Sequence, residues 1–242
     1  MLLLFGAAVS LSAFQPFVPP LKNSGWPDAV LLAITAVATL AAFAGQLPVT
    51  NVFLAGTIAA AIGGILHAVN NVIGLPFGRF EFKPGFGPQV FDVLPVAMPV
   101  LWAVASLNAR GVARRLLQHS RTHPRHGCHV IALAAGLMMI FQLTITPFAV
   151  MVKNWWTPDA TPLLNLASWI VLSLIIQIAM TPLLLDKFPV PRPPNFSPVL
   201  VWVGMNLLMA PGLVSKQWRV GGTLLFLVVQ AMIFLGGLRR RR

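Results

Sequence analysis

His67, Asn70, Asn71 and Gly74 fall at i, i+3, i+4 and i+7, so on a helix they share one face. The surrounding stretch is apolar, and polar side chains in such a stretch are costly and turn toward a bundle interior. This stripe of imidazole and amide groups can wall a pocket for substrate or water, or it can bond helix to helix. A second concentration of reactive types holds His119, His123, His126, Cys128 and His129. His119 and His123 have an i, i+4 spacing that suits a metal. However, Pro124 interrupts the helix, Arg121 and Arg125 repel a cation, and no carboxylate lies in the segment. No metal is expected, and 109–129 is read as a basic, solvated loop that touches anionic lipid headgroups. Trp155 and Trp156 have the character of a membrane-interface belt.

The elements that must position these groups are long apolar runs. Of the 242 residues, 57% are hydrophobic and 9% charged, against roughly 25% charged in a soluble domain. The 17 Lys and Arg outnumber 5 acids, yet they lie between apolar runs rather than on a solvated face, which argues against nucleic acid. The single Cys128 rules out an intramolecular disulfide framework. A bilayer core about 30 Å thick needs roughly 20 mostly apolar residues per helix. Eight runs approach this: 2–18, 29–45, 52–73, 93–108, 130–152, 166–185, 198–214 and 220–238. The expected fold is an all-α integral membrane protein, a polytopic bundle of about eight transmembrane helices forming one domain over 1–242. The first run lacks the basic start and the clear A-x-A site of a cleaved leader, so it is counted as a span.

Lys and Arg favour the cytoplasmic side of a membrane. Arg110, Arg114, Arg115, Arg121, Arg125, Lys187, Arg192 and Arg239 to Arg242 fall on one side of this layout. Lys22, Arg79, Lys83, Lys153, Lys216 and Arg219 fall on the other. Both termini are therefore expected in the cytoplasm, in a cell (plasma) membrane, with the loops 75–92 and 153–165 together on the opposite face. Gly56, Ala60 and Gly64 form a small-xxx-small packing stripe, and Gln142, Gln177, Asn206 and Gln230 read as interhelical hydrogen-bonding groups.

The segment from Gly74 through Pro76-Phe77-Gly78, Phe80 and Phe82, continuing by Gly87-Pro88 to Pro95, Pro99 and Trp102, carries a recognisable pattern. It resembles the membrane carotenoid 1,2-hydratases of the bisanhydrobacterioruberin hydratase type. In that family a G-x-P-F-G-x-Y-x-Y stretch leads into L-G-P-x-L and then P-x3-P-x2-W. Phe80 and Phe82 occupy the two tyrosine positions, in a chain that contains no Tyr. Downstream, Trp155-Trp156, Pro162, Asn165 and Trp169 are similar to the family's tryptophan pair and P-x2-N-x3-W. Two departures stand out: Pro84 replaces an acid, and the carboxylate of the preceding helix is replaced near His67 or Asn70.

The resemblance implies addition of water across the terminal C=C of an acyclic carotenoid or another long isoprenoid lipid, with no cofactor and no redox change. That chemistry needs an acid to protonate the alkene, surroundings that tolerate a tertiary carbocation, and a base that delivers water. A carboxylic acid kept neutral by desolvation can be the acid, and Glu81, inside the motif, is the first choice. Asp92 or Asp159 would be the base. Phe80, Phe82, Trp155 and Trp156 would present ring faces to the cation. His67, Asn70, Asn71 and Asn165 would line the substrate site, Asn165 by hydrogen-bonding the water or the product hydroxyl. Ion pairing by Glu81, an N-cap at Asp92, a turn at Asp159 and helix bonding by Asn165 are the structural alternatives. At the level of function, the alternatives are a carotenoid- or lipid-binding scaffold, a transporter and a cyclase-like isomerase, although no P-x-E-[ED] acid motif is present. Membrane lipids are the other expected partners. The sequence leaves the oligomeric state open.

Overall fold

The computed structural model describes residues 2–14, 18, 25–78, 81–83, 86–120, 123–157, 161–185, 195–214 and 220–238. Among them are eight α-helices: α1 (Leu2–Phe14), α2 (Trp26–Ala44), α3 (Val49–Ile73), α4 (Ala97–Leu116), α5 (His126–Pro147), α6 (Pro162–Met180), α7 (Ser197–Met209) and α8 (Val220–Leu238). Four stretches are long and apolar enough to cross a membrane: Trp26–Ala44, Val49–Ile73, His126–Val152 and Pro162–Leu183. Three of the other helices fall short for identifiable reasons. Thirteen-residue α1 and α7 rise only about 20 Å, less than the roughly 30 Å of a bilayer core. Arg110, Arg114 and Arg115 lie inside α4. The eight apolar runs thus correspond to eight helices, of which, among the described residues, four qualify as spans by length and composition.

The fourth element differs most from expectation. The helix begins at Ala97 and continues to Leu116, so the three arginines read as part of a loop are helical, and Arg110 and Arg115 are buried. α4 packs against α2, α3, α5, α6, α7 and α8, and every residue from 104 to 113 is buried. Its polar side chains find partners on the surrounding helices. Asn108 Nδ2 donates to Thr39 Oγ1 of α2 at 2.7 Å, and Arg110 Nη1 donates to Gln177 O and Oε1 of α6 at 3.2 and 3.3 Å. Gln177 Nε2 donates back to Ser106 O at 3.0 Å, and Arg115 Nε donates to Gly237 O of α8 at 2.6 Å.

α3 lies on α4 along a face of small residues. An ideal Cβ at Gly63 would stand 2.4 Å from Trp102 Cγ, and one at Gly64 would stand 2.9 Å from Pro99 Cγ. Hydrogen at these positions is what lets the two helices close. The C-terminus of α3 is built by Gly74, left-handed at φ 75, whose N–H bonds Asn70 O in the usual glycine cap. Asn70 then holds the loop that follows. Its Nδ2 donates to Gly78 O at 2.8 Å, and its Oδ1 accepts from Phe77 N at 2.7 Å. Asn71 Nδ2 donates to Val93 O, and Ser168 Oγ of α6 donates to Pro76 O. Asn70 and Asn71 thus bond the backbone that follows α3, at Phe77, Gly78 and Val93.

Farther along, residues 89–95 form a small hairpin of β1 (Gln89–Val90) and β2 (Leu94–Pro95), paired antiparallel with Gln89 opposite Pro95. Phe91 and Asp92 turn it with φ of 52 and 56, and Val93 N donates to Val90 O at 3.1 Å, the positive-φ geometry suited to a tight hairpin. Asp92 is therefore a turn residue, and the position before α4 is Val96.

This packing sets the expected effect of three substitutions on stability. Gly63→Ala destabilises the detergent-solubilised protein by about 1–3 kcal/mol through overpacking on Trp102. Gly56→Ala, whose Cβ would meet Leu107 at an ordinary 3.4 Å, is neutral or gains up to about 1 kcal/mol of helix propensity. Thermal unfolding of both variants checks the pair. Asn70→Ala leaves Gly78 O and Phe77 N–H without a side-chain partner and costs about 2 kcal/mol or more; an unchanged midpoint would remove its clamping role.

Candidate functional site

The described residues of the loops 74–96 and 153–161 meet at one end of the bundle. Residues 81–83 run antiparallel to 155–157: Thr157 N donates to Glu81 O at 3.0 Å, Lys83 N donates to Trp155 O at 2.7 Å, and Phe82 bridges Trp156. Side chains reinforce the seam, because Glu81 N donates to Thr157 Oγ1 at 2.8 Å and Lys83 Nζ donates to Asn154 Oδ1 at 2.6 Å. The second loop is aimed by the end of α5. Pro147 closes that helix, and residues Phe148–Val152 widen into a π-turn, the kind of bulge that recurs at functional sites. Gly212 permits the close approach behind it, since a Cβ there would lie 2.4 Å from Phe148 N.

Two aromatic clusters result. The inner one stacks Trp102 on Trp169, centroids 4.1 Å apart, and His67 on Phe77 at 4.4 Å. His67 is 5.9 and 6.1 Å from the two tryptophan rings, and all four side chains are buried. The outer cluster is centred on Phe86, with Trp155 at 4.7 Å, Trp156 at 5.5 Å and Phe82 at 6.0 Å; Phe148 closes on Trp155 at 5.8 Å. Phe82 joins the clusters, 6.2 Å from His67.

Beside the outer cluster lies a cavity of about 300 Å3, at the lower end of the range for ligand sites. Its wall is mainly apolar, including Val9, Leu32, Leu101, Phe86, Trp155 and Met205, and its polar side chains are Ser12, Asp28 and Thr35. Asp28, in the first turn of α2, is paired with Lys153 at 2.8 Å, the two side chains being 16% and 8% exposed. Lys153 Nζ reaches both carboxylate oxygens, Ser12 Oγ donates to Oδ1 at 3.0 Å, and the ammonium also lies 5.8 Å from the Phe148 ring centroid.

The sequence-derived candidates divide on this geometry. His67, Phe82, Trp155 and Trp156 come together, and of these Trp155 lines the cavity. Asn70 and Asn71 bond loop backbone, and Asn165 accepts from Gln142 Nε2 at 3.1 Å inside the bundle. Glu81 is exposed on the seam, and Asp92 is exposed in the hairpin turn. Phe80 and Asp159 lie outside the described residues. In the basic segment the His123 and His129 rings stand 5.4 Å apart, and among the described residues no three His, Cys, Asp or Glu converge as metal ligands would.

Sequence reasoning missed Asp28, Ser12 and Phe86. The signal for Asp28 was present: an acid one residue outside the 29–45 run and a lysine one residue beyond 130–152, both at the same end of an alternating layout.

Neither a curated protein nor a solved structure matches the chain significantly. The family model described as carotenoid biosynthesis protein does match, over residues 27–235. That stretch takes in Asp28, both motif loops and the helices that hold them, and over it the chain belongs to the carotenoid biosynthesis protein family.

Proposed function

We propose that this membrane protein of the carotenoid biosynthesis family adds water to the terminal C=C of an acyclic carotenoid. The observation that carries the reading is an apolar cavity walled by Phe86 and Trp155, at the bundle end where the two motif loops are bonded to one another. A cavity of about 300 Å3 suits one end of a long polyene, with the remainder in lipid. An acyclic carotenoid is roughly as long as the bilayer core is thick, so its end naturally reaches an interfacial site. In the layout proposed here, both termini are cytoplasmic in the cell membrane and this site faces the other side.

The reaction balances without a redox partner. The π pair of the terminal alkene takes a proton, leaving a tertiary carbocation. A water lone pair forms the C–O bond, and one water proton leaves to a base, giving a tertiary alcohol. Ring faces such as those of Phe86 and Trp155 stabilise the cation electrostatically. Glu81 is the proposed proton donor, with Asp92 or Asp159 as the base. Glu81 shares the loop of Phe82 and Phe86, and the hydrocarbon of a bound polyene would supply the desolvation that a neutral acid requires. Binding without conversion is the second reading, favoured by the exposure of Glu81.

The test is expression in cells that make lycopene, with extracted pigments analysed by mass against an empty-vector control. A product heavier by one water is expected, and Glu81→Gln is expected to abolish it in membranes that hold the protein. An unchanged mass would leave binding alone, an isomer of equal mass would mark a cyclase, and full turnover by Glu81→Gln would remove that residue from the acid role.

A further inference from the structure

The polar side chains on the cavity wall differ in what they have left to offer. Thr35 Oγ1 donates to Leu31 O at 2.6 Å, a bond within its own helix. Ser12 Oγ spends its proton on Asp28 Oδ1. A carboxylate has about four acceptor sites on its two oxygens. Asp28 Oδ1 accepts from Ser12 and from Lys153, whereas Oδ2 accepts from Lys153 at 3.0 Å. Among the described residues three of the four sites are filled and one acceptor site remains on Oδ2, on a residue whose cavity wall is otherwise mainly apolar. Such an oxygen selects a ligand that brings one hydrogen-bond donor and no net charge. A cation would face Lys153, and an anion would face the carboxylate.

We propose that Asp28 Oδ2 receives the hydroxyl of a terminally hydroxylated acyclic carotenoid, with the hydrocarbon of that end packed against Phe86, Trp155, Leu32 and Leu101. Ser12, through Oδ1, and Lys153, through both oxygens, act as positioning residues by fixing the carboxylate. The site takes a polyene alcohol in preference to the parent hydrocarbon, and water on its way to the carbon would occupy the same acceptor. This deepens the hydration reading and rests on its assignment of the cavity to a carotenoid end group.

The experiment uses the purified full-length protein in detergent, titrated with lycopene and with its 1,2-hydrated tertiary alcohol. Quenching of tryptophan fluorescence by the polyene reports binding, since Trp155 is in the wall. The wild type is expected to bind the alcohol about tenfold or more tightly than the hydrocarbon, the factor that a hydrogen bond to a charged group carries. Asp28→Asn alone removes the charge that Lys153 is paired with and destabilises the fold, so the comparison is the double variant Asp28→Asn with Lys153→Gln, which removes both charges together. It is expected to bind the two ligands within about twofold of one another. Equal affinities in the wild type, binding of neither ligand, or a preference that survives the double variant would overturn the proposal. The outcome is separable from hydration itself: a selective site that yields no heavier product in cells refutes hydration alone, and a hydrated product without selectivity refutes the role of Asp28 alone.

Discussion

The burial of α4 on all sides is the constraint on which the other elements depend. A helix with no lipid-facing stripe must let every neighbour approach, and α4 does so with Ala105, Ala109, Gly111 and Ala113, all buried. At Gly111 a Cβ would come within 2.5 Å of Pro198 and 3.0 Å of Phe43, so α2 and α7 can both close only on a hydrogen atom. Where apolar surface is everywhere, contact area alone does not specify which helix sits where, and directional bonds add that specificity. The Asn108–Thr39, Arg110–Gln177 and Arg115–Gly237 bonds join α4 to three different helices and fix its depth against each. An arginine is costly inside such a bundle. Arg110 and Arg115 place donors on backbone carbonyls, and Arg115 also lies 5.9 Å from the Phe196 ring centroid.

With α4 fixed, its N-terminal end sets the site. Trp102, one turn into the helix, fills the hollow that Gly63 leaves on α3 and stacks on Trp169 of α6. This brings α3 and α6 together behind the loop 74–96, which Asn70 and Ser168 then hold from both helices. The opposite wall comes from the N-terminus of α2 and the end of α5, linked by the Asp28–Lys153 pair. The pair is part-buried, and removing one member would leave the other charge without this partner, so the contact ties the two elements of that wall together.

Much of this was legible in the sequence, and the failures have physical causes. The positions of α2, α3, α5 and α6 follow from apolar runs, because a span must be continuous to satisfy its own backbone in lipid. The boundary of α4 did not, since Arg110, Arg114 and Arg115 end the apolar run at 108 while the acceptors that admit two of them, Gln177 and Gly237, lie 67 and 122 residues away. The clamp at Asn70 has the same character: spacing put the amide on the face of His67, but both of its bonds go to backbone in the following turn. Asp28 escaped because hydropathy ends the span at residue 29 and discards the charge just outside it, although in a helical bundle that is where a charge can reach both lipid-level cavities and partners on adjoining spans.

The two aromatic clusters divide the motif residues by what they can do. Trp102, Trp169, His67 and Phe77 are buried against one another and do not line the cavity, so a ligand there meets none of their faces. Trp155 and Phe86 border it. The tryptophans at the ends of the two motifs, which give the resemblance its longest reach along the chain, therefore secure the scaffold. The wall of the cavity instead includes Trp155 and Phe86 of the two loops, together with Asp28, a residue that neither motif contains.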